Sequence, residues 1–247
     1  MIEYINYVFN VAKKPLLIWL FAPGLYMMIL PLSFSGGALT KMVEAKKIAL
    51  DDTMGGNELF LSVFGIKDWE QIWNLEGVIT AYLFNLFFPM LIAIATLVFI
   101  NKISSKSEED GTFEFVASLP LSRTNIAITH SIIVIGFGIF LGQAWSNFIY
   151  LPLLFMSDSI SETLKYGSLC ASALQSSLGG VSFAALGYAA GSISGQSAKL
   201  WLFGMGFLAF EWISSILSAK IVFFEWYHDN ISSFGAYRNP YDDGLMF

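Results

Sequence analysis

Along the 247-residue chain, polar positions are sparse within five long apolar stretches and crowd into the segments between them. The stretches cover residues 15–33, 78–100, 126–156, 168–193 and 199–217. Crossing the hydrocarbon core of a bilayer takes about 20 mostly apolar residues in helical form, so each stretch predicts a transmembrane helix. Pro152 interrupts the third near its end. Beyond the fifth, the run Ile221, Val222, Phe223, Phe224 is too short to cross. The expected fold class is therefore all-α: a polytopic membrane protein forming a single membrane domain.

The segments outside the spans carry their own patterns. In residues 1–14, Glu3, Asn6, Asn10, Lys13 and Lys14 recur at helical spacing, with Ile2, Ile5, Phe9 and Ala12 on another face. Tyr4, Tyr7 and Val8 broaden the apolar side, which predicts a helix lying in the membrane interface. Lys13 and Lys14 ahead of an apolar run resemble a secretory leader, but the run is long enough to span and Glu3, Asn6 and Asn10 precede it, so a retained first span is expected. Residues 34–77 form a long external loop with short amphipathic pieces, and 218–247 form an external tail. In residues 101–125, Phe113, Val116 and Leu119 fall about one turn apart. A short amphipathic helix is expected there, capped by Ser107 with Asp110 or Ser105 with Glu108 and stopped at Pro120.

Composition agrees with the pattern. Hydrophobic residues make up 55% of the chain and charged ones 13%, too little charge to cover a soluble domain of this length. The net charge of −6 comes from scattered carboxylates without a basic stripe, which argues against nucleic acid as a partner. With the N-terminus inside, Lys13, Lys14, Lys102, Lys106, Arg123 and Lys199 are cytoplasmic and lie close to span ends, where the positive-inside rule acts. Residues 101–125 are then a cytoplasmic segment.

That segment carries the strongest motif. It reads Glu108, Glu109, Asp110, Gly111, Thr112, Phe113, Glu114, Phe115, followed by Ser118, Leu119, Pro120, Leu121, Ser122, Arg123. The pattern resembles the cytoplasmic signature of ABC transporter permeases of the type-2 exporter class: a glutamate pair, Gly-Thr-Leu-Glu, then a small residue, an aliphatic and Pro-Val-Ser-Arg. The N-terminal interfacial helix resembles that family's elbow helix. Leu17, Ile18 and Trp19, the long first loop, and Glu76 with Gly77 resemble its antibiotic-exporter branch. Two positions depart from the family: His130 stands where a lysine is usual, and five spans are legible where the family has six, as though the last helix were missing from the chain or supplied elsewhere.

The resemblance implies a pump subunit without its motor, in a prokaryotic cytoplasmic membrane. Such permeases pair with a second permease subunit, identical or different, and each contacts an ABC ATPase through the elbow and a coupling helix. It implies ATPase-coupling roles for Glu108, Glu109, Gly111, Thr112, Phe113, Glu114, Phe115, Pro120 and Arg123. No Gly-x-x-x-x-Gly-Lys-Ser/Thr phosphate loop occurs in the chain. ATP and Mg are therefore expected in the separate ATPase, with no cofactor bound by this chain and membrane lipid as its other partner.

The intramembrane polar residues are the other candidates. Glu211 in the fifth span is costly at mid-bilayer and needs a partner, a cavity or water. With Asn147, Gln143 and Asn85 it is a candidate for a translocation path, a reading that ranks second to interhelical hydrogen bonding and, for Glu211, to interface snorkelling or subunit packing. Gln175 falls in the same class. In the fourth span Gly187 and Gly191 permit close helix packing. His130 and His228, the two histidines, fall near opposite membrane faces in this topology, so no metal site or catalytic pair is expected, and the chain is not expected to be an enzyme. A different class stays open beside the exporter: a non-transporting membrane scaffold or assembly subunit.

Overall fold

A computed structural model describes residues 2–35, 75–111, 113–114, 122–155 and 164–236. Among these, all regular structure is helical. Five helical stretches are long and apolar enough to cross a membrane: Lys13–Ser33, Leu83–Glu109, Arg123–Leu153, Tyr166–Ser194 and Ser197–Ser218. The five spans expected from the apolar pattern are thus present, with ends displaced by a few residues.

Helix α1 covers Ile2–Ser35 and is continuous. The boundary expected at Pro15, between a separate elbow and the first span, does not interrupt it. In the N-terminal part Tyr4 and Val8 are buried, whereas Asn6, Asn10, Lys13 and Lys14 are exposed; the side chains of the expected apolar face, Ile2, Ile5, Phe9 and Ala12, lie outside those described. Pro15, Pro23 and Pro31 all lie inside the helix. Each lacks the N–H that would bond the carbonyl four residues earlier. At Pro23 the carbonyl left over is that of Trp19, and the Trp145 indole N–H donates to it at 3.0 Å. A proline in one span is accommodated by an aromatic donor from another.

A second compensation opens the next span. Leu75–Gly77 leads into a π-helical segment, Val78–Phe87, followed by α2, Phe88–Ile103. The Phe88 N–H bonds Leu83 O, the wider i→i+5 spacing. Five residues after Phe84 comes Pro89, which has no N–H, and Phe84 O instead accepts from Ser176 Oγ at 2.5 Å. Residues 36–74 of the expected external loop lie outside the described residues.

Ser104 separates α2 from α3, Ser105–Glu109. The caps expected at Ser105 and Ser107 are not formed. Ser107 Oγ donates to Ser104 O at 2.7 Å, and Ser105 Oγ is buried without a hydrogen-bond partner. Both sit within a helix that follows closely on α2, so the caps are displaced by backbone continuity. The helix expected to carry Phe113, Val116 and Leu119 falls largely outside the described residues; α3 itself ends at Glu109. Gly111, at φ +72°, takes a left-handed conformation that only glycine adopts readily, and its N–H bonds Glu108 O at 3.1 Å. Thr112 and residues 115–121, including Phe115 and Pro120, lie outside the described residues.

Helix α4, Arg123–Leu153, is capped by Ser122, whose Oγ accepts from the Asn125 N–H at 3.1 Å. Pro152 falls in its last turn. Helix α5, Tyr166–Ser194, ends at Gly195 with φ +62°, and α6, Ser197–Ser218, follows at once. In the packing, α5 contacts α2, α4 and α6, while α1 lies against α4. Its glycines permit this approach: a Cβ at Gly187 would come within 2.8 Å of Leu200 O, and one at Gly180 within 2.7 Å of Pro89 O. Leu17, Ile18 and Phe21 of α1 and Leu202, Phe203 and Ile213 of α6 face outward, as lipid-facing surfaces do.

The expected external tail takes a different course over residues 222–236. Helix α7, Val222–Asn230, packs against α6. The turn after it carries Phe234 into a buried cluster with Leu86, Ala93, Phe183 and Leu208. Leu208 lies near the middle of α6 and Phe183 near the middle of α5. An apolar anchor at Phe234 and the needs of Glu211, described below, draw this stretch back along the bundle.

Candidate functional site

One end of the bundle gathers the start of α1, helix α3, the start of α4 and the turn between α5 and α6. A cavity of about 530 Å³ lies there, lined among others by Glu108, Phe113, Arg123, His130, Tyr188 and Ile193. Three residues of the family-like signature, Glu108, Phe113 and Arg123, thus face one space. Glu114 and Arg123 are exposed, and Arg123 makes no ion pair among the described residues. Lys106 pairs with Asp110 at 3.1 Å and approaches Glu109 at 3.9 Å.

His130 ties three helices together beside this cavity. It is 1% exposed; its Nε2 is hydrogen-bonded to the Tyr4 hydroxyl of α1 and its Nδ1 to the Tyr188 hydroxyl of α5 at 3.1 Å. A neutral imidazole offers one donor and one acceptor, and two hydroxyls complement both. Burial raises the Tyr4 phenol above the usual tyrosine range, so it stays a hydroxyl, able to donate or accept according to the imidazole tautomer. The sequence marks His130 as a departure from the family pattern, yet nothing local to it points to Tyr4 or Tyr188. Tyr4 enters only as part of a broad apolar face.

Glu108 and Glu109 both reach the turn between α5 and α6. Glu109 Oε1 accepts from the Ser197 backbone N–H at 2.7 Å. Ser197 is the first residue of α6, and the preceding Gln196 gives no side-chain cap. Its N–H has no intrahelical acceptor, so a carboxylate 88 residues away in sequence supplies the cap. Ser197 Oγ also donates to Asn101 Oδ1 at 2.8 Å. Glu108 approaches the turn as well: a Cβ at Gly195 would lie 3.0 Å from Glu108 Oε2.

The intramembrane polar residues fall into separate places. Gln143 Nε2 donates to Cys170 O at 3.0 Å, and Asn147 bonds Gln143 O at 2.7 Å and the Tyr166 hydroxyl at 3.0 Å. Both stitch α4 to the start of α5. Asn85 lies in the π-helical segment. Glu211 is 1% exposed and turns to the α7 region. Its Oε1 accepts from the Tyr227 hydroxyl, and its Oε2 accepts from Ser232 Oγ at 2.5 Å and the Ser233 N–H at 3.1 Å. Three donors on one carboxylate describe a latch that holds α7 and its turn to α6. The donors lie 16 to 22 residues further along the chain, and no local pattern announces them.

Among the described residues, no group of three or more His, Cys, Asp or Glu side chains is placed to hold a metal ion. No protein-family model, curated protein or solved structure matches the chain.

Proposed function

We propose that this chain is the membrane permease subunit of an ATP-driven exporter, energised by a separate ATPase chain that docks on the segment 101–125. The observation that carries the reading is the gathering of the signature at one end of the bundle. Glu108, Phe113 and Arg123 line a common cavity there, next to the start of α1 and the α5–α6 turn. A docked partner could push on this end and reach several spans at once. Tyr4, His130 and Tyr188 bind three helices to each other at this level, so displacement of one is felt by the others. The exposed Glu114 and Arg123 offer a carboxylate and a guanidinium to a soluble partner.

Each permease works beside a second permease subunit in the same cytoplasmic membrane of a prokaryote, and ATP and Mg reside in the ATPase. The test is affinity purification of the tagged chain from its native membrane in mild detergent. The account expects a stoichiometric ATPase subunit in the wild-type eluate, and its loss when Glu114→Arg is introduced. A wild-type eluate that holds other membrane proteins but no ATPase contradicts the reading and favours a scaffold subunit.

A further inference from the structure

We propose that Glu109 is an internal positioning residue, the link that passes movement of α3 to α6, rather than a contact for the docked partner. The proposal rests on the permease reading, and it reassigns the role that the family-like signature implies for this residue. Three observations carry it. First, Glu109 Oε1 is already engaged with the Ser197 N–H at 2.7 Å. Second, Ser197 sends its hydroxyl to Asn101 at the end of α2, at 2.8 Å, so the first residue of α6 is held twice by the α2–α3 stretch. Third, the turn before it is bracketed by the neighbouring glutamate, with Gly195 packed so close to Glu108 that a Cβ would lie 3.0 Å from its carboxylate oxygen.

The chemistry suits a link. A carboxylate at a helix N-terminus meets both an unpaired N–H and the positive end of the helix dipole. Charge-assisted bonds of this kind are short and directional. Helix α6 follows directly on Gly195 and Gln196, with no loop to absorb displacement. Movement of α3 therefore pulls on the first turn of α6, and α6 carries it along its length toward Glu211. Glu114 and Arg123, which have no such side-chain engagement among the described residues, remain for the partner.

The experiment uses the intact permease–ATPase complex in lipid nanodiscs, in a Cys170→Ala background. Spin labels go on Thr124→Cys and Lys199→Cys, exposed positions at the starts of α4 and α6. Two quantities are read: the amount of ATPase bound, and the change in label separation when a non-hydrolysable ATP analogue is added. Glu109→Ala is expected to keep ATPase binding within about twofold of wild type while abolishing the nucleotide-driven change in separation. Glu109→Gln, whose amide oxygen still accepts from Ser197, is expected to keep most of that change. Loss of the ATPase from Glu109→Ala would make Glu109 a docking residue and overturn the proposal. An unaltered nucleotide response in Glu109→Ala would overturn it equally. Failure of the permease reading is seen separately, as a wild-type chain that recruits no ATPase.

Discussion

Glu109 and Glu211 each accept a backbone N–H that would otherwise lack an acceptor, and both fasten α6 to another part of the chain. Their surroundings differ sharply. Glu109 is exposed and makes one bond to Ser197, with Lys106 nearby at 3.9 Å. Glu211 is buried and receives Tyr227, Ser232 and Ser233 together. Water can replace the acceptor at the first site, so that joint is light and can be made and broken. At the second, Glu211 and Ser232 are buried and three donors act together, so that joint is the firmer one. One helix thus has a movable attachment where the signature segment meets it and a fixed one further along.

The largest expected effect tests the fixed joint. Glu211→Ala leaves three donors without their acceptor, Ser232 buried and Tyr227 and Ser233 half-buried, and losing one partner of a buried charged network costs on the order of 3 kcal/mol. The account expects α7 and residues 231–236 to come away from α6, read as new protease cleavage within 219–236 while the five spans stay protected. Tyr227→Phe removes one of the three donors and leaves the carboxylate with Ser232 and Ser233. A hydrogen bond to a charged group contributes about 1.5–3 kcal/mol, so its effect on thermal unfolding in detergent should be smaller than that of Glu211→Ala.

At the light joint the numbers fall again. Glu109→Ala removes an exposed helix-terminal carboxylate, worth about 0.3–1 kcal/mol, and should shift thermal unfolding only slightly. The mildest substitutions sharpen the contrast further. Glu109→Gln should be near neutral for stability, because an amide oxygen still caps Ser197. Glu211→Gln should be the more destabilising of the two, because the amide gives up the charge, keeps a single acceptor oxygen for Ser232 and Ser233, and forces the Tyr227 hydroxyl to accept where it had donated. If the two glutamine variants unfold at the same temperature, the distinction between the joints fails.

The five spans were legible because length and apolar content alone decide whether a helix crosses a bilayer. A proline inside a helix leaves a carbonyl without its donor, but nothing local to Pro23 or Pro89 indicates that Trp145 serves Trp19 or that Ser176 serves Phe84. Those partners come from other helices, and their identity depends on how the bundle packs. The helical pattern before Pro15 was legible too, yet its two-faced stripe suggested a separate helix in the interface plane, a break that the continuous α1 does not make. Glu211 was recognisable as a carboxylate needing partners. Their location was not, since α7 is nine residues long and, read locally, looks like a solvated tail. The signature glutamates were read from a resemblance as docking contacts. Only the fold brings Ser197 to Glu109.

Helix α6 is thus held loosely through the Ser197 amide, bonded to Glu109, and firmly through the Ser233 amide, bonded to its Glu211. Hydrogen exchange at these two backbone amides, measured together on the chain in nanodiscs, tests it most directly. The account predicts much faster exchange at Ser197 than at Ser233. It further predicts that Glu109→Ala accelerates only the first and Glu211→Ala only the second. Equal protection of the two amides in the wild type, or one substitution releasing both, would contradict it.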